Sequence, residues 1–357
     1  MINLNELDKF TISPSQIEAL NTCELNWAFQ HIRGLADQYK AADVTIYSAA
    51  NGKEIKPRYI FNVFGDSFHT VIKRFHEKEY KSPESFAGAF TGIWKYNMVN
   101  MAVAFAYNST KNPTFYRHLG RSMAETYWRE NIGCRDLEDV RFEMEFLVGV
   151  RTDDFLVGFN GRMDRFHREG GRIIITDFKT GIYRPTDEEM RKSSQFIGYS
   201  FGCQRKLGET PVLRVYFPGY DVKPANADQK PVSAPTVVKT MEFGEENHAE
   251  FLRMLNETGK RRLGVIRRAG SGEKLIASYG PQCNYCKFSL SGECDAYTGE
   301  DEFVWKEYAV RVPSAPLTVR KRKIEGQKRL PFRRKEVIIV GHSQPTEMEE
   351  DTTPKLF

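Results

Sequence analysis

Cysteine is scarce in this chain, with six residues in 357, too few for a disulfide scaffold. No apolar run approaches the roughly 18 residues that a membrane span requires. The first ten residues, MINLNELDKF, carry acids early and lack an apolar signal core, so export is not expected. A G-x-x-x-x-G-K-[ST] loop is missing, which excludes a P-loop motor. No internal repeat is visible. Neither sign of charge dominates: 52 Lys and Arg face 47 Asp and Glu, for a net +5. What remains is a soluble globular composition, 40% hydrophobic with a mean hydropathy of −0.52. The length permits two or three domains, or one large core with extensions.

The few cysteines are unevenly placed. Cys283, Cys286 and Cys294 crowd into one Gly- and Pro-containing segment, whereas Cys23, Cys134 and Cys203 stand apart. In a reducing compartment such a cluster points to metal rather than to disulfides. Three thiolates need a fourth ligand to hold tetrahedral Zn²⁺ or a [4Fe-4S] cluster. Local spacing alone leans slightly to structural zinc, and leaves Cys23, Cys134 and Cys203 as candidates, with His a further option although none lies near the cluster.

Local patterns give the elements. Ser13-Pro14-Ser15-Gln16 has the form of a helix start, and the helix is expected to run to about His31 with Cys23 on it. Asn51-Gly52 is a hairpin-like signal within 41–62. Residues 65–80 follow a helical period, with Phe68, Val71, Ile72 and Phe75 on one face. Residues 84–130 read as an aromatic, helical insertion. Three strands follow over 140–150, 155–166 and 172–178, then a helix over 187–206. Strands at 212–218 and 236–243 and a helix over 245–268 complete an α/β core of about 300 residues. Residues 301–357 read as a charged, flexible tail.

If Gly170-Gly171 are the central pair of a two-residue turn, antiparallel partners have numbers that sum to 341. Asp164 then faces Asp177, and Lys179 lies two residues on, opposite Arg162. Opposed carboxylates on a sheet repel, and the neighbouring residues are apolar, so a buried pair needs a cation or a shared proton; the alternative is that both acids lie at solvated strand ends and Lys179 pairs with one of them. Mg²⁺ suits such a site, because it takes one or two carboxylates together with waters and phosphates. Lys179 could orient a water or neutralise phosphate charge.

Taken together and in order, these residues resemble the RecB-like branch of the PD-(D/E)XK nucleases. They are most similar to its iron–sulfur members: the AddB nuclease domain, the exonucleases of CRISPR adaptation, and their phage relatives. The matching motifs are Cys23 in an N-terminal helix, Gly65-Asp66-Ser67-Phe68-His69, Gly161-Arg162-Met163-Asp164 and Asp177-Phe178-Lys179. They continue with Gln195 to Tyr199 as Q-x-x-x-Y, and close with Cys283, Cys286 and Cys294. The likeness spans roughly residues 11–298. It implies a restriction-endonuclease-like core, a central mixed sheet flanked by helices, with a helical N-terminal part and a C-terminal Fe–S loop. Residues 1–300 would form the nuclease domain.

The resemblance also implies roles. Asp164, Asp177, His69 and the Phe178 carbonyl would ligate Mg²⁺ or Mn²⁺. Lys179 would position water, and Gln195 and Tyr199 would contact DNA or the active site. Cys23, Cys283, Cys286 and Cys294 would hold a [4Fe-4S] staple, which favours iron over zinc and Cys23 over the other cysteines. The expected activity is a metal-dependent DNA exonuclease in a bacterial or phage-infected cytoplasm. The expected partner is DNA, single-stranded or end-bearing, with a helicase or a sliding clamp as further candidates. Two other readings are a non-catalytic DNA-end-binding protein of the same fold and a zinc-stabilised endonuclease. Arg162 and Arg165 could hold phosphates or be surface charges of the strand, and His76 is either structural or a phosphate contact. The tail holds ten basic residues and one acid over 311–335, so the other 332 residues sum to −4. That stretch suits a DNA-tracking arm. Within it, Gln327 to Phe332 resembles the peptides that bind sliding clamps.

Overall fold

A computed structural model describes residues 11–32, 44–45, 58–77, 80–101, 103–106, 111–134, 137–154, 156–181, 183–222, 232–273, 275–278, 286, 308–311, 320–321 and 338–339. Cys283, Cys294, the Asn51-Gly52 turn and the clamp-like peptide lie outside these residues.

The central sheet contains β1 (Thr11–Ile12), β2 (Glu138–Arg151), β3 (Leu156–Glu169), β4 (Arg172–Phe178), β5 (Val212–Phe217) and β6 (Val237–Met241). It is mixed: β1 with β3 and β4 with β5 run parallel, and the other neighbours run antiparallel. The β3–β4 hairpin adopts the expected register. Arg165 pairs with Thr176 and Glu169 with Arg172, and both turn glycines have positive φ, +58° and +78°. An L-residue would resist that conformation at either place.

Helices cover both faces of the sheet. One face packs on α1 (Pro14–Thr22), α7 (Ser194–Leu207) and α8 (Glu245–Ser271), around Phe146, Phe159, Ile175, Leu213 and Phe251. The other face packs on α3 (Ile60–Glu77), α4 (Pro83–Asn100) and α5 (Pro113–Asn131), around Phe64, Phe75, Phe90, Tyr127 and Phe178. The predicted insertion therefore supplies the second face of the core. Short strands also tie in later parts of the chain: Tyr308–Arg311 pairs with Val103–Ala106, and Arg320–Lys321 with Val44–Thr45.

Two predicted helices are each interrupted. Ser13 does cap α1, accepting from the Gln16 amide, but the helix stops at Cys23. Cys23 is extended (φ −159°, ψ 114°), and α2 (Glu24–His31) begins just after it. The cause is a partner distant in sequence. Leu25 donates its amide to the Ile276 carbonyl, and the Ile276 amide returns a bond to the Glu24 carboxylate. Glu24 is buried and pairs with Arg268 at 2.5 Å. The helix expected over 187–206 is α6 (Asp187–Arg191) and then α7, separated at Lys192 and Ser193.

Candidate active site

The edges of β3 create the site. One edge pairs with β2 along almost its whole length. The other edge pairs with β1 at Gly158 and Phe159, and with β4 from Arg165 onward. Between them, residues 160–164 have no strand partner on that edge among the described residues. The Arg162 carbonyl in this gap accepts a 2.6 Å bond from the Tyr199 hydroxyl of α7. At the end of the gap, Asp164 Oδ2 accepts the Phe178 amide at 2.8 Å. A carboxylate thus takes over where the backbone ladder ends, which is why Arg162 does not pair with Lys179 as expected. Arg162 instead pairs with Glu145 across to β2.

The strands also turn over at this point. Met163 and Phe166 pack in the same core although regular alternation would oppose them, and Met144 and Phe142 on β2 pack on opposite faces. Opposite Asp164 in this register lies Glu143, a non-glycine residue with φ +50°. Left-handed backbone at such a residue is strained, and strain of this kind gathers at functional sites. Here it accompanies a change of face on both strands at the position of Asp164.

The predicted residues meet in this gap, in a cleft of ≈ 1670 Å³. His69 comes from α3, with Nε2 3.0 Å from the Phe178 carbonyl oxygen and Nδ1 3.5 Å from Asp164 Oδ1. Asp177 is 2% exposed. Its Oδ1 accepts the Gln195 amide at 2.8 Å, and Lys179 Nζ lies 2.9 Å from Oδ2. That last contact is close but not aligned as a hydrogen bond, so Oδ2 remains buried without a donor. Gln195 joins the set: its Oε1 accepts from Lys179 Nζ at 3.1 Å, and its Nε2 also donates to the Tyr199 hydroxyl. Gln195, itself bonded by Tyr199, therefore ties Asp177 and Lys179 together.

Electrostatics follow from this crowding. Burial, and then the Asp177 carboxylate, raise the pKa of Asp164 to about 6, against the opposing influence of His69, the Phe178 amide and Lys179. Burial by itself would lower the Lys179 pKa, but the adjacent Asp177 carboxylate outweighs it, and the net shift is upward. Lys179 is therefore an ammonium at neutral pH. Burial and then Asp177 also push up the Tyr199 hydroxyl, which stays a donor.

The donor set fits a hard divalent cation. It comprises two carboxylates, a carbonyl oxygen and an imidazole, and Asp177 Oδ2 accepts no hydrogen bond although the Lys179 ammonium lies 2.9 Å away. Adjacent ligands of a six-coordinate Mg²⁺, with bonds of about 2.1 Å, lie about 3.0 Å apart. His69 Nε2 and Phe178 O are 3.0 Å apart. Among the described residues no group of three His, Cys, Asp or Glu side chains is close enough to enclose a metal alone, so the Phe178 carbonyl and waters would have to complete the shell.

A model of the PD-(D/E)XK nuclease superfamily matches residues 11–290. The chain belongs to this superfamily. Membership supports nuclease activity on DNA, with the Mg²⁺ or Mn²⁺ that PD-(D/E)XK nucleases typically use. Two solved structures are similar at 14% identity. The structure of SSO0001 has a TM-score of 0.29 and covers 75% of this chain and 98% of its own. A protein from Eubacterium rectale named “Putative exonuclease” has a TM-score of 0.39 and covers 80% and 90%. No curated protein matches.

Other residues named from sequence take different places in this PD-(D/E)XK nuclease. Arg165 does not reach for phosphate. It is 5% exposed, bonds Tyr127 Oη and Thr176 Oγ1, and lies over the Phe178 ring. His76 sits with it, Nε2 3.2 Å from Tyr127 Oη, and is structural. Cys203 packs in the sheet core, where burial pushes its thiol up to about 12, which is unsuited to a thiolate ligand. Cys23 packs in a third cluster with Leu20, Leu25 and Trp27, and Cys286 lies against that cluster. Asn26, from α2, donates to Cys286 Sγ at 3.4 Å. Two of the four cysteines expected to act together, 263 residues apart in the chain, thus lie at the same apolar cluster. The described residues include no helix long and apolar enough to cross a membrane.

Proposed function

We propose that this chain is a metal-dependent DNA exonuclease stapled by a [4Fe-4S] cluster. The observation that carries the nuclease part is the meeting of His69, Asp164, Asp177, Phe178 O and Lys179 in the gap of the β3 edge. Asp164, Asp177, His69 and the Phe178 carbonyl would hold Mg²⁺ or Mn²⁺, which lowers the pKa of bound water and neutralises phosphate charge. Lys179, kept cationic by Asp177, stabilises charge that develops on the phosphate and orients water beside it. Gln195 fixes both Asp177 and Lys179, so each keeps its direction when DNA enters. The exonuclease part rests on the family resemblance.

End-labelled single- and double-stranded DNA should be degraded with Mg²⁺ or Mn²⁺ and left intact with a chelator. A circular single strand should resist. Cutting of the circle would overturn the exonuclease assignment, and cutting in chelator would overturn the metal assignment.

The cluster is supported by Cys23 and Cys286 lying in one packed region beside the bonds between residues 24–25 and 276. Cys283 and Cys294 would supply the other two thiolates. Cys23→Ala should give colourless, poorly soluble protein that has lost its iron. A mutant with full iron content and full activity would remove Cys23 from the ligand set; bound zinc in the wild type would replace iron.

A further inference from the structure

The cleft presents an electrostatic problem. Five carboxylates line it (Glu18, Glu145, Asp164, Asp177 and Glu189), against the cations Arg162, Lys179 and Lys192. Such a surface attracts a polyanion poorly before metal binds, so contacts that need no charge must help to hold the strand. One candidate stands out. Tyr183 lines the cleft and is 69% exposed, the most exposed large apolar side chain among the described residues. Water-exposed aromatic surface at the wall of a site has a natural partner in the face of a nucleobase.

Tyr183 is also held in place. Its hydroxyl donates to Glu189 Oε1 at 2.6 Å, while Glu189 Oε2 accepts from the Thr186 amide and hydroxyl at 2.6 and 3.0 Å. Glu189 belongs to the capping box that starts α6. The ring is therefore moored to a helix end, which reduces the ordering cost of binding. It lies four positions along the chain from Lys179, so their Cα atoms are at most about 14 Å apart. A base on this ring would lie within a few nucleotides of the bond being cut.

We propose that Tyr183 is a stacking platform for a nucleobase, and that the cleft accordingly takes single-stranded nucleic acid. Bases within a duplex are already stacked on each other, whereas those of a single strand have open faces. The inference rests on the nuclease reading of the cleft, and its test separates the two.

Binding of a fluorescein-labelled single-stranded oligonucleotide would be followed by anisotropy in Mn²⁺, using Asp177→Asn protein with and without Tyr183→Ala. Losing one base–aromatic stack should weaken binding roughly 5- to 150-fold, and Tyr183→Phe should stay within about threefold of the parent, since it keeps the ring. A single abasic nucleotide at the stacking position should reproduce the defect, and should cost nothing further when Tyr183 is already Ala. A loss under about threefold, below the range for one stack, would overturn the proposal. So would an equal loss for a blunt duplex, or indifference to abasic sites at every position. Failure of the wild-type protein to cleave DNA in Mn²⁺ would count against the nuclease reading and leave the binding result standing.

Discussion

Asp177→Asn should reduce DNA cleavage at saturating Mn²⁺ by about a thousandfold or more. Metal-assisted stabilisation of transition-state charge is worth several kcal/mol, and each 1.4 kcal/mol is a factor of ten in rate. Asparagine keeps the volume of a side chain that is 2% exposed, so no cavity opens. It removes the anion that would face the metal, and it removes the charge that holds Lys179 in place at 2.9 Å. Stability should move the other way or not at all. The substitution relieves repulsion with Asp164, which contributes to its raised pKa, and the Lys179 head, 37% exposed, can turn to water. A site built for catalysis rather than stability shows this trade-off. Single-turnover cleavage of end-labelled DNA, alongside thermal unfolding, measures both. A mutant that cleaves within tenfold of wild type would remove Asp177 from the catalytic set.

The second large effect is expected at Gly198. This residue lies on α7 between Gln195 and Tyr199, where the helix rides directly on the sheet. A Cβ there would stand 2.5 Å from the Phe159 ring and 3.0 Å from Phe251. Both rings are completely buried and have no free volume to enter. Ala in a helix interior gains about 0.5–1 kcal/mol over Gly, whereas overpacking a close-packed core costs about 1–3 kcal/mol. Overpacking wins, and Gly198→Ala should destabilise the protein by about 0.5–2 kcal/mol. Gly198→Val should cost more. Activity should fall further than stability, because pushing α7 outward displaces Gln195 and Tyr199, and a shift of about 1 Å can cost a hundredfold in rate. Gly92 in α4 is the control: a Cβ there meets nothing within 4 Å, so Gly92→Ala should stabilise by up to about 1 kcal/mol. If the two variants behave alike in unfolding and in cleavage, close packing of α7 is not what orders the site.

How far the sequence can be read depends on the range of the interaction that decides each feature. The β3–β4 register was legible because Gly170 and Gly171 determine it locally through backbone conformation. The ladder itself stops at Arg165 and Thr176, so the expected facing of Asp164 and Asp177 is replaced by a bond from the Phe178 amide to the Asp164 carboxylate. The breaks at Cys23 and Lys192 were not legible. The first depends on Ile276, more than 250 residues away, and local propensity contains no trace of such a partner. Arg165 was misread because a strand pattern assigns faces by alternation, and alternation fails at the Glu143–Asp164 position. Tyr183 was passed over because exposure of a single ring is a tertiary fact. The four-residue spacing of Gly198 and Gly202 was a usable signal, since two small residues on one helical face mark a close approach.

The bonds between residues 24–25 and 276 also bear on the order of folding. On a ribosome, residues 24 and 25 emerge long before their partner has been made. Local structure such as the β3–β4 hairpin can form at once, while the break at Cys23 must wait for α8 to follow. Loop-closure cost grows only as the logarithm of length, so the delay is one of timing more than of free energy. During that interval Leu20, Leu25 and Trp27, which end up buried with Val265 and Leu275, have nothing to cover them. A nascent chain halted before residue 276 would carry this apolar surface exposed, and it is there that a chaperone would be expected to engage it.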